Sequence, residues 1–428
     1  MTMQMIIPLA IVIIMIVMIM SDKFSFGAPP LVACCLLVIT GCSTISEAFA
    51  GFTNSNVVMI AGFMAVMAAL QKTSIMAKVQ NVMAKLAARG GFKAYALLLV
   101  VVMLFSSLTS GSTGYYVMVL TIVSTIPYNK HLPNSKLLMP LGFATGRALI
   151  PVGVAFWMGL ASSLLESGGY QATLTLPKFA LMVFVMSIFF LIWSLVAYRL
   201  LPDHDISEGA NSEVQTAETK TAAPALPAWK ESCTYVAFGI SVIGMMFASN
   251  IGEAAYIIPA LCTAFLCLIG VFNFKEVRNN VFSPLILMMA AVIGVADALA
   301  ASGFTTMVGE AVAGAMGANV SPIVLTLMFC LLTSACATLT GASIGSLFIF
   351  APIGIATCIS LGIDPTGLAA AVTVSAWGGG FLPIDGLPAM ILGMGKYKLS
   401  QFFKFAVPMY LIGILGLTVG AFISYTIL

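Results

Sequence analysis

Charge is scarce in this sequence. Lys, Arg, Asp and Glu make up 8% of its 428 residues, whereas about a quarter of the residues in a soluble domain are charged. Hydrophobic residues reach 61%, which excludes an ordinary soluble globular fold. Because one membrane span needs about 20 apolar residues, the chain has room for roughly ten or eleven helices. The composition therefore predicts an all-α, polytopic membrane protein.

Other features are also missing. The nine cysteines lie in or beside apolar runs and lack the short paired spacing of zinc sites or disulfide frameworks. The net charge of +3 is too small to indicate a nucleic-acid partner. No Lys or Arg precedes the first apolar run, Met5 to Met20, and no small-residue cleavage site follows it. We therefore interpret this run as a retained helix and not as a signal peptide.

Uninterrupted apolar runs alternate with two unusual regions. Residues 92–166 and 320–395 are hydrophobic, but clusters of Gly, Ser, Thr and Pro interrupt them. The long polar stretch from Pro202 to Lys230 has little apolar content and predicts a linker between two halves. The uninterrupted runs predict helices near residues 5–20, 28–42, 55–71, 178–200, 233–249, 252–272, 281–298 and 402–426.

The two halves resemble each other at a nearly constant spacing of 229 to 232 residues, which predicts an internal duplication. The matching segments are Ala69-Leu70 with Ala298-Leu299, Thr109 to Gly114 with Thr340 to Gly345, and Ile150 to Gly153 with Leu382 to Asp385.

We therefore divide the chain into two repeats joined by a linker, residues 201–231. The first repeat, 1–200, comprises scaffold helices (1–90), a hairpin with a broken helix (92–166) and a further helix (178–200). The second repeat, 232–428, comprises scaffold helices (233–318), a hairpin with a broken helix (320–395) and a last helix (402–426).

The basic residues predict an orientation, because Lys and Arg in short loops remain on the cytoplasmic side. We place the N-terminus outside and assign five spans and one re-entrant hairpin to each half. Of the 18 basic residues, Lys178 alone then falls outside, and Arg147 lies within the membrane. The repeats are inverted in this arrangement, about ten helices cross the cell (inner) membrane, and the linker is cytoplasmic.

Two pairs of interrupted segments predict a transport site. In hydrocarbon a helix breaks only where protein or a water-filled cavity satisfies its backbone groups, and matching breaks in two repeats are typical of transporter binding sites. The alternative is that small residues at this density only permit close helix packing. The pairs are 106–114 with 146–153, and 338–346 with 378–388.

Three ionisable residues fall inside predicted membrane segments: Arg147, Asp297 and Asp385. Each is a functional candidate because such residues are costly there. Arg147 could hold a substrate carboxylate, and Asp385 could bind a cation or carry a proton. Alternatively, Arg147 and Asp385 pair with each other across the repeats. Asp297 lies in a continuous helix, where a packing role and a transport role are both open.

At these residues the chain resembles the divalent anion/sodium symporter family and, more widely, the ion transporter superfamily that includes citrate-metal symporters. The resemblance is carried by Gly51-Phe52-Thr53-Asn54 before a long apolar helix, by the two hairpins, and by Leu382 to Gly395 running into Lys396-Tyr397-Lys398. It implies that each hairpin tip binds sodium and substrate carboxylates, and that one domain moves as an elevator against the scaffold of a homodimer.

At the two hairpin tips this sequence departs from the family pattern, because Ser112 and Ser343 stand where the family has Asn. The resemblance implies substrate contacts by Ser110, Gly111, Ser112, Thr113, Ala342, Ser343, Ile344 and Gly386, in addition to Arg147. It implies sodium or proton sites at Ser107, Ser112 and Gly153, and at Thr338, Gly341, Ser343 and Asp385.

We therefore expect a secondary transporter in the lipid bilayer that moves a small organic anion, di- or tricarboxylate-like, coupled to sodium or protons and without another cofactor. A cation/proton antiporter that uses Asp385 is the alternative. An intramembrane aspartyl protease with Asp297 and Asp385 is a remote one. A Ser-His dyad is disfavoured because His131 and His204 lie in predicted loops, so we expect no enzyme.

Overall fold

The computed structural model describes residues 3–20, 28–109, 113–126, 132–172, 174–206, 226–247, 251–316, 320–340, 343–383 and 386–427. Within these ranges the chain forms twenty α-helices and no strand. The first half contains α1 (Met3–Met20), α2 (Ala28–Ile39), α3 (Ile45–Ala48), α4 (Ser55–Gln71), α5 (Ile75–Arg89), α6 (Gly91–Thr109), α7 (Thr113–Thr125), α8 (Asn134–Ala144), α9 (Ala155–Ser167) and α10 (Leu176–Ala197).

The second half contains α11 (Ala228–Met246), α12 (Ala254–Leu268), α13 (Phe274–Val281), α14 (Pro284–Ala301), α15 (Phe304–Met316), α16 (Pro322–Thr340), α17 (Ser343–Ser360), α18 (Thr366–Ser375), α19 (Gly386–Met394) and α20 (Leu399–Phe422). Short 3₁₀ helices occur at Ala50–Phe52, Val152–Val154 and Tyr198–Leu200, and a π-helix at Ile423–Ile427. Over its described residues each predicted apolar run is largely helical, which confirms the all-α prediction.

The helices of the two halves follow one order. α6 begins at Gly91 and α16 at Pro322, 231 positions later, while α8 begins at Asn134 and α18 at Thr366, 232 positions later. Helices of one half pack on helices of the other in reciprocal pairs. α2 packs on α14 and α4 packs on α12, and likewise α8 packs on α19 and α9 packs on α18. Such an exchange is expected of two halves related by an approximate two-fold axis.

The short helices α3 and α13 begin with the same cap. The Thr44 hydroxyl accepts a hydrogen bond from the Glu47 amide, and the Glu47 carboxylate accepts one from the Thr44 amide. Asn273 and Glu276 repeat this capping box at α13. Each box satisfies backbone N–H groups that the start of a helix leaves unpaired. The two boxes lie 229 positions apart, as duplicated sequences would place them.

Length limits how many helices qualify as single spans. Among the described residues, five helices are long and apolar enough to cross a membrane, or six if α14 and α15, bent by 68°, form one span. Three of the five are the hairpin helices α6, α16 and α17. Several others, such as α4 with 17 residues and α12 with 15, fall below this length. The count of ten spans remains a prediction.

The described ends of the predicted linker are packed against helices. The Ser135 hydroxyl donates to the Pro202 carbonyl at 2.9 Å, and a ring nitrogen of His204 lies 2.7 Å from the Gly395 carbonyl oxygen. Ile206 is fully buried, and α11 already begins at Ala228. Residues 207–225 of the linker lie outside the described residues.

Polar contacts tie the ends of four helices together. Lys72, after α4, pairs with Glu276 of α13 at 2.6 Å, and this hydrogen bond keeps the pKa of Glu276 below its usual value. Glu231 of α11 accepts hydrogen bonds from the amide and hydroxyl of Ser74 at 2.8 and 2.9 Å, just before α5. These contacts join α4, α5, α11 and α13 at one end of the helix bundle.

Gly51 permits a close approach between the halves. It is buried beside α14, and a Cβ there would overlap the Ala290 carbonyl, a backbone group that cannot rotate away. We expect Gly51→Ala to lower the stability of the protein by about 1–3 kcal/mol, the usual cost of overpacking. A thiol-reactive dye would detect the lower unfolding temperature in detergent, because cysteines such as Cys330 are buried when the protein is folded.

Gly239→Ala is the matched control, because nothing lies within 4 Å of a Cβ at this helical position. A helical Gly→Ala change gains about 0.5–1 kcal/mol in helix propensity. Equal unfolding temperatures for the two variants would show that the contact between Gly51 and α14 is not tight.

Candidate functional site

Two broken helices, one from each half, pack against each other. In the first, α8 ends at Ala144 and helical structure resumes at Val152; in the second, α18 ends at Ser375 and α19 begins at Gly386. Since α9 packs on α18 and α8 on α19, each break lies against the other half. The breaks coincide with the Gly- and Pro-rich segments that the sequence indicated.

The first break is bonded to α6. The Ser106 hydroxyl donates to the Thr145 carbonyl at 2.6 Å, and the Leu149 amide donates to the Met103 carbonyl at 3.2 Å. The Ile150 amide donates to the Ser107 hydroxyl at 3.0 Å. Backbone groups released by a break must find such partners at membrane depth. The hydroxyl residues near the end of α6 therefore stabilise the broken helix by hydrogen bonding to its backbone.

Arg147 belongs to the first break, and its side chain extends towards the second. Its side chain is buried, with 9% of the residue exposed. One terminal nitrogen donates to the Met186 sulfur at 3.0 Å, and the other reaches the Gly378 carbonyl of the second break at 3.5 Å. Both contacts are weak, because a thioether accepts poorly and 3.5 Å is long for a hydrogen bond to a carbonyl. Within the described part of the chain no carboxylate forms an ion pair with Arg147.

Arg147 lines two cavities. The first cavity lies on the side of α6, has a volume of about 50 Å³ and includes Ser106, Ser107 and Gly153 in its lining. The second cavity lies on the side of α16, has a volume of about 160 Å³ and includes Thr338 and Ser343. Gly146, Arg147 and Trp377 line both cavities, so a solute bound at Arg147 could contact residues of both hairpins.

Two of the hydroxyls that line these cavities donate their protons to backbone carbonyls. Ser107 donates to the Met103 carbonyl at 3.3 Å, and Thr338 donates to the Ser334 carbonyl at 2.7 Å. A hydroxyl whose proton is bonded elsewhere presents only lone pairs to a ligand. The oxygens of Ser107 and Thr338 are therefore suited to accept a hydrogen bond or to coordinate a cation.

Gly379 brings the second break against α16. A Cβ at this position would overlap the Thr338 hydroxyl oxygen, which the bond to Ser334 holds in place. Gly379 is the counterpart of Arg147 at the spacing of 232 positions. The two breaks therefore differ. The first carries the guanidinium of Arg147, and the second carries Gly379 at the matching position.

The structure brings together Ser107, Arg147, Gly153, Thr338 and Ser343 at the two cavities. Ile344 is buried in α17 and lines neither cavity. Thr113 begins α7 and Gly386 begins α19. The remaining predicted site residues lie outside the described residues: Ser110, Gly111, Ser112, Gly341, Ala342 and Asp385.

Asp297 lies away from this site. It is half-buried in α14, hydrogen-bonded to Ser167 at the end of α9 and close to Glu166. It does not contribute to either cavity. A pairing of Arg147 with Asp385 remains a prediction, because Asp385 is not described.

Sequence reasoning missed the aromatic walls. Trp157 of α9 and Trp377 line the first cavity with their ring centroids 6.4 Å apart, and Met186 of α10 completes this wall. Phe143 of α8 lines the second cavity. The sequence feature that could have indicated this wall is the position of Trp377 directly before Gly378-Gly379-Gly380. Three glycines at a break leave open space around a large neighbouring ring.

Comparison with known families gives one match over most of the chain. The family model CitMHS, described as "Citrate transporter", matches residues 14–342. Among curated proteins, the "Uncharacterized transporter YfbS" of Escherichia coli (strain K12) is 26% identical over 136 residues. This match covers 32% of the chain and only 22% of that relative.

Two solved structures have a similar fold. The YdaH transporter of Alcanivorax borkumensis superposes with a TM-score of 0.62 at 17% identity, covering 89% of this chain and 88% of its own. MtrF of Neisseria gonorrhoeae, described as illuminating a class of antimetabolite efflux pumps, superposes with a TM-score of 0.60 at 12% identity, covering 91% and 84%. At these identities the likeness concerns the fold alone.

Proposed function

Because the chain belongs to the citrate transporter family, a family of membrane transporters and not of enzymes, we propose that it moves a small organic anion by alternating access through the paired helix breaks. One observation carries this proposal. Arg147 is a buried cation that makes only weak hydrogen bonds among the described residues, and it lines both cavities. An anion bound there would satisfy the guanidinium.

We further propose the architecture of two inverted repeats. It is supported by the shared helix order, the exchanged contacts between halves and the matching caps at Thr44 and Asn273. In this proposal about ten helices cross the inner membrane and the α6–α7 and α16–α17 hairpins are re-entrant. The N-terminus is outside and residues 201–231 are cytoplasmic, because this orientation keeps the Lys and Arg residues of short loops inside.

For coupling we propose a cation near each hairpin. The hydroxyl oxygens of Ser107 and Thr338, whose protons are bonded elsewhere, support a cation at each position. Asp385, which lies outside the described residues, is the carboxylate that we assign to the second cation on the strength of the sequence. Sodium or a proton would fit this role. An elevator movement and a homodimer remain part of the proposal on the strength of the resemblance alone.

Uptake into proteoliposomes tests the function. We expect purified protein to accumulate labelled organic anions, with di- and tricarboxylates such as succinate and citrate as the reference compounds, when a sodium or proton gradient is imposed. A potassium gradient of equal size is the control for the coupling ion. Proton flux driven by sodium, without movement of any anion, would favour the antiport alternative through Asp385 and would contradict the proposal.

A further inference from the structure

Helix α5 and the start of α6 carry four basic residues. Lys78, Lys85 and Arg89 belong to α5, and Lys93 lies in the first turn of α6. All four residues are exposed, and α5 contains no Asp or Glu. We call these four residues the basic surface. An exposed group of like charges is often only solvated, so its geometry and its position decide whether it has a partner.

The three basic residues of α5 form one row. Successive residues of an α-helix are rotated by about 100° and rise by about 1.5 Å. Lys78, Lys85 and Arg89 therefore fall within a sector of about 40° over about 16 Å of helix. The buried residues Val79 and Met83 project about 100° or more away from Lys78. The row accordingly faces away from α4, α6 and α7, on which α5 packs.

The basic surface has no ion pair within the described part of the chain. The two ion pairs found there involve Lys72 and Lys136 instead. Glu231, which contacts the residue before α5, already accepts two hydrogen bonds from Ser74. The charges of the basic surface are therefore available to anions outside the protein.

The chain places the basic surface at the start of an apolar helix. α6 begins at Gly91 and is long and apolar enough to cross a membrane. Gly90 and Gly91 have φ angles of 66° and 80°, which give the sharp turn from α5 into α6. Arg89 and Lys93 therefore lie on either side of the point where α6 enters the bilayer, within reach of the lipid headgroups.

Apolar side chains are exposed next to these charges. Val82 is 39% exposed and Phe92 is 49% exposed. Val82 lies about 40° from Lys78 around the helix, and Phe92 directly precedes Lys93. A helix that exposes basic and apolar side chains together is typical of the membrane interface. Lipid matches both features, because its headgroups carry phosphate and its chains are apolar, whereas a soluble acidic partner matches only the charge.

The matching helix of the second half lacks this feature. α15 begins at Phe304, 229 positions after the start of α5 at Ile75. Its one charged residue is Glu310, which is exposed. Duplication alone therefore does not account for the basic surface, and Glu310 offers a matched control on the equivalent helix.

Building on the transporter architecture proposed above, we propose that the basic surface is a binding site for anionic phospholipids. The phosphates of the cytoplasmic leaflet accept hydrogen bonds from its Lys and Arg side chains, and Val82 and Phe92 contact the acyl chains. Each basic residue near an anionic lipid surface contributes about a fivefold preference. Because α5 joins α4 to the first hairpin, the bound lipid fixes the point at which this hairpin enters the bilayer.

The test titrates lipid into the full chain in detergent and follows the unfolding temperature with a thiol-reactive dye. Dioleoylphosphatidylglycerol is the anionic probe, dioleoylphosphatidylcholine is its zwitterionic match, and inorganic phosphate represents a free anion. We expect the anionic lipid to raise the unfolding temperature at a concentration about tenfold or more below that of the zwitterionic lipid. About 1 M salt should remove this preference, because it shortens the range of exposed charges to about 3 Å.

Charge variants locate the site. Lys78→Gln/Lys85→Gln/Arg89→Gln should lose most of the preference for the anionic lipid, while α5 is retained because glutamine forms helices about as well as lysine and arginine. Lys78→Arg/Lys85→Arg/Arg89→Lys keeps every charge and should behave as the wild type. Glu310→Gln removes an exposed charge from α15 and should also leave the preference unchanged.

The outcomes are distinct. A preference for the anionic lipid that the glutamine variant loses and the charge-conserving variant keeps supports the assignment. Equal effects of the two lipids, an unchanged preference in the glutamine variant, or an equal effect of inorganic phosphate overturns it. The titration requires no transport, so the uptake assays test the proposed transport function independently of this result.

Discussion

Arg147→Gln should lower the kcat/KM of anion uptake by about 100-fold, which corresponds to roughly 3 kcal/mol. The expected effect is large because Arg147 alone carries charge among the described residues of both cavities. Glutamine keeps hydrogen-bonding groups but removes the positive charge. Arg147→Lys should retain part of the activity, because lysine restores the charge without the planar fork that binds a carboxylate through two bonds. Initial rates in proteoliposomes measure both variants.

The thermal stability of Arg147→Gln separates two roles of the arginine. If Arg147 has no carboxylate partner until a substrate anion binds, the Gln variant removes the cost of burying a charge. The unfolding temperature of the variant should then equal or exceed that of the wild type. If Arg147 instead pairs with Asp385, its removal leaves a carboxylate unpaired and should destabilise the protein by about 3–5 kcal/mol. Arg199→Gln, at an exposed residue, is the control and should change neither quantity.

Gly379→Ala should abolish most transport and lower the unfolding temperature. The added methyl group would overlap the Thr338 hydroxyl, which its bond to Ser334 holds in one orientation. Either the second break moves away from α16 or the hydroxyl turns, and both changes alter the second cavity. We expect a loss of at least about tenfold in uptake, since small displacements of a binding geometry cost this much or more.

Two further variants identify the cause. Gly393→Ala is the matched control, because a Cβ on this glycine of α19 meets nothing within 4 Å. The double variant Thr338→Ala/Gly379→Ala removes the overlapping oxygen and should recover the unfolding temperature, which would appear as a favourable coupling between the two changes. If Thr338 also coordinates the coupling cation, the double variant folds but stays inactive. Wild-type uptake in Gly379→Ala alone would show that this contact does not shape the site.

Local patterns in the sequence predicted much of the fold. Apolar runs predicted the helices because every backbone group at membrane depth must be bonded within its own segment. Clusters such as Gly146 to Gly153 and Gly378 to Gly380 predicted the interruptions because glycine and proline do not support a helix. Arg147 was identified as a candidate because an ionisable residue in a long apolar segment is costly. These inferences depend on composition within some twenty residues of chain, which the sequence displays directly.

The aromatic walls depended on contacts that no local pattern records. Val183 and Met186 line a cavity while Ile192, on the same helix α10, is 56% exposed, yet all three are apolar. In water an amphipathic pattern would distinguish such positions. In lipid the outer face of a helix is as apolar as its inner face, so hydrophobicity does not indicate which side faces the site.

What the sequence by itself determined is therefore the all-α architecture, the two breaks and Arg147 as the cation of the first break. The tertiary structure alone decided that Arg147 reaches across to Gly378, 231 positions away, and that Trp157 and Trp377 enclose the same space. The physical reason is that helix breaks arise from local backbone chemistry, whereas a binding site arises from the rotation and approach of whole helices. Contacts such as those of Gly51 with Ala290 set that approach.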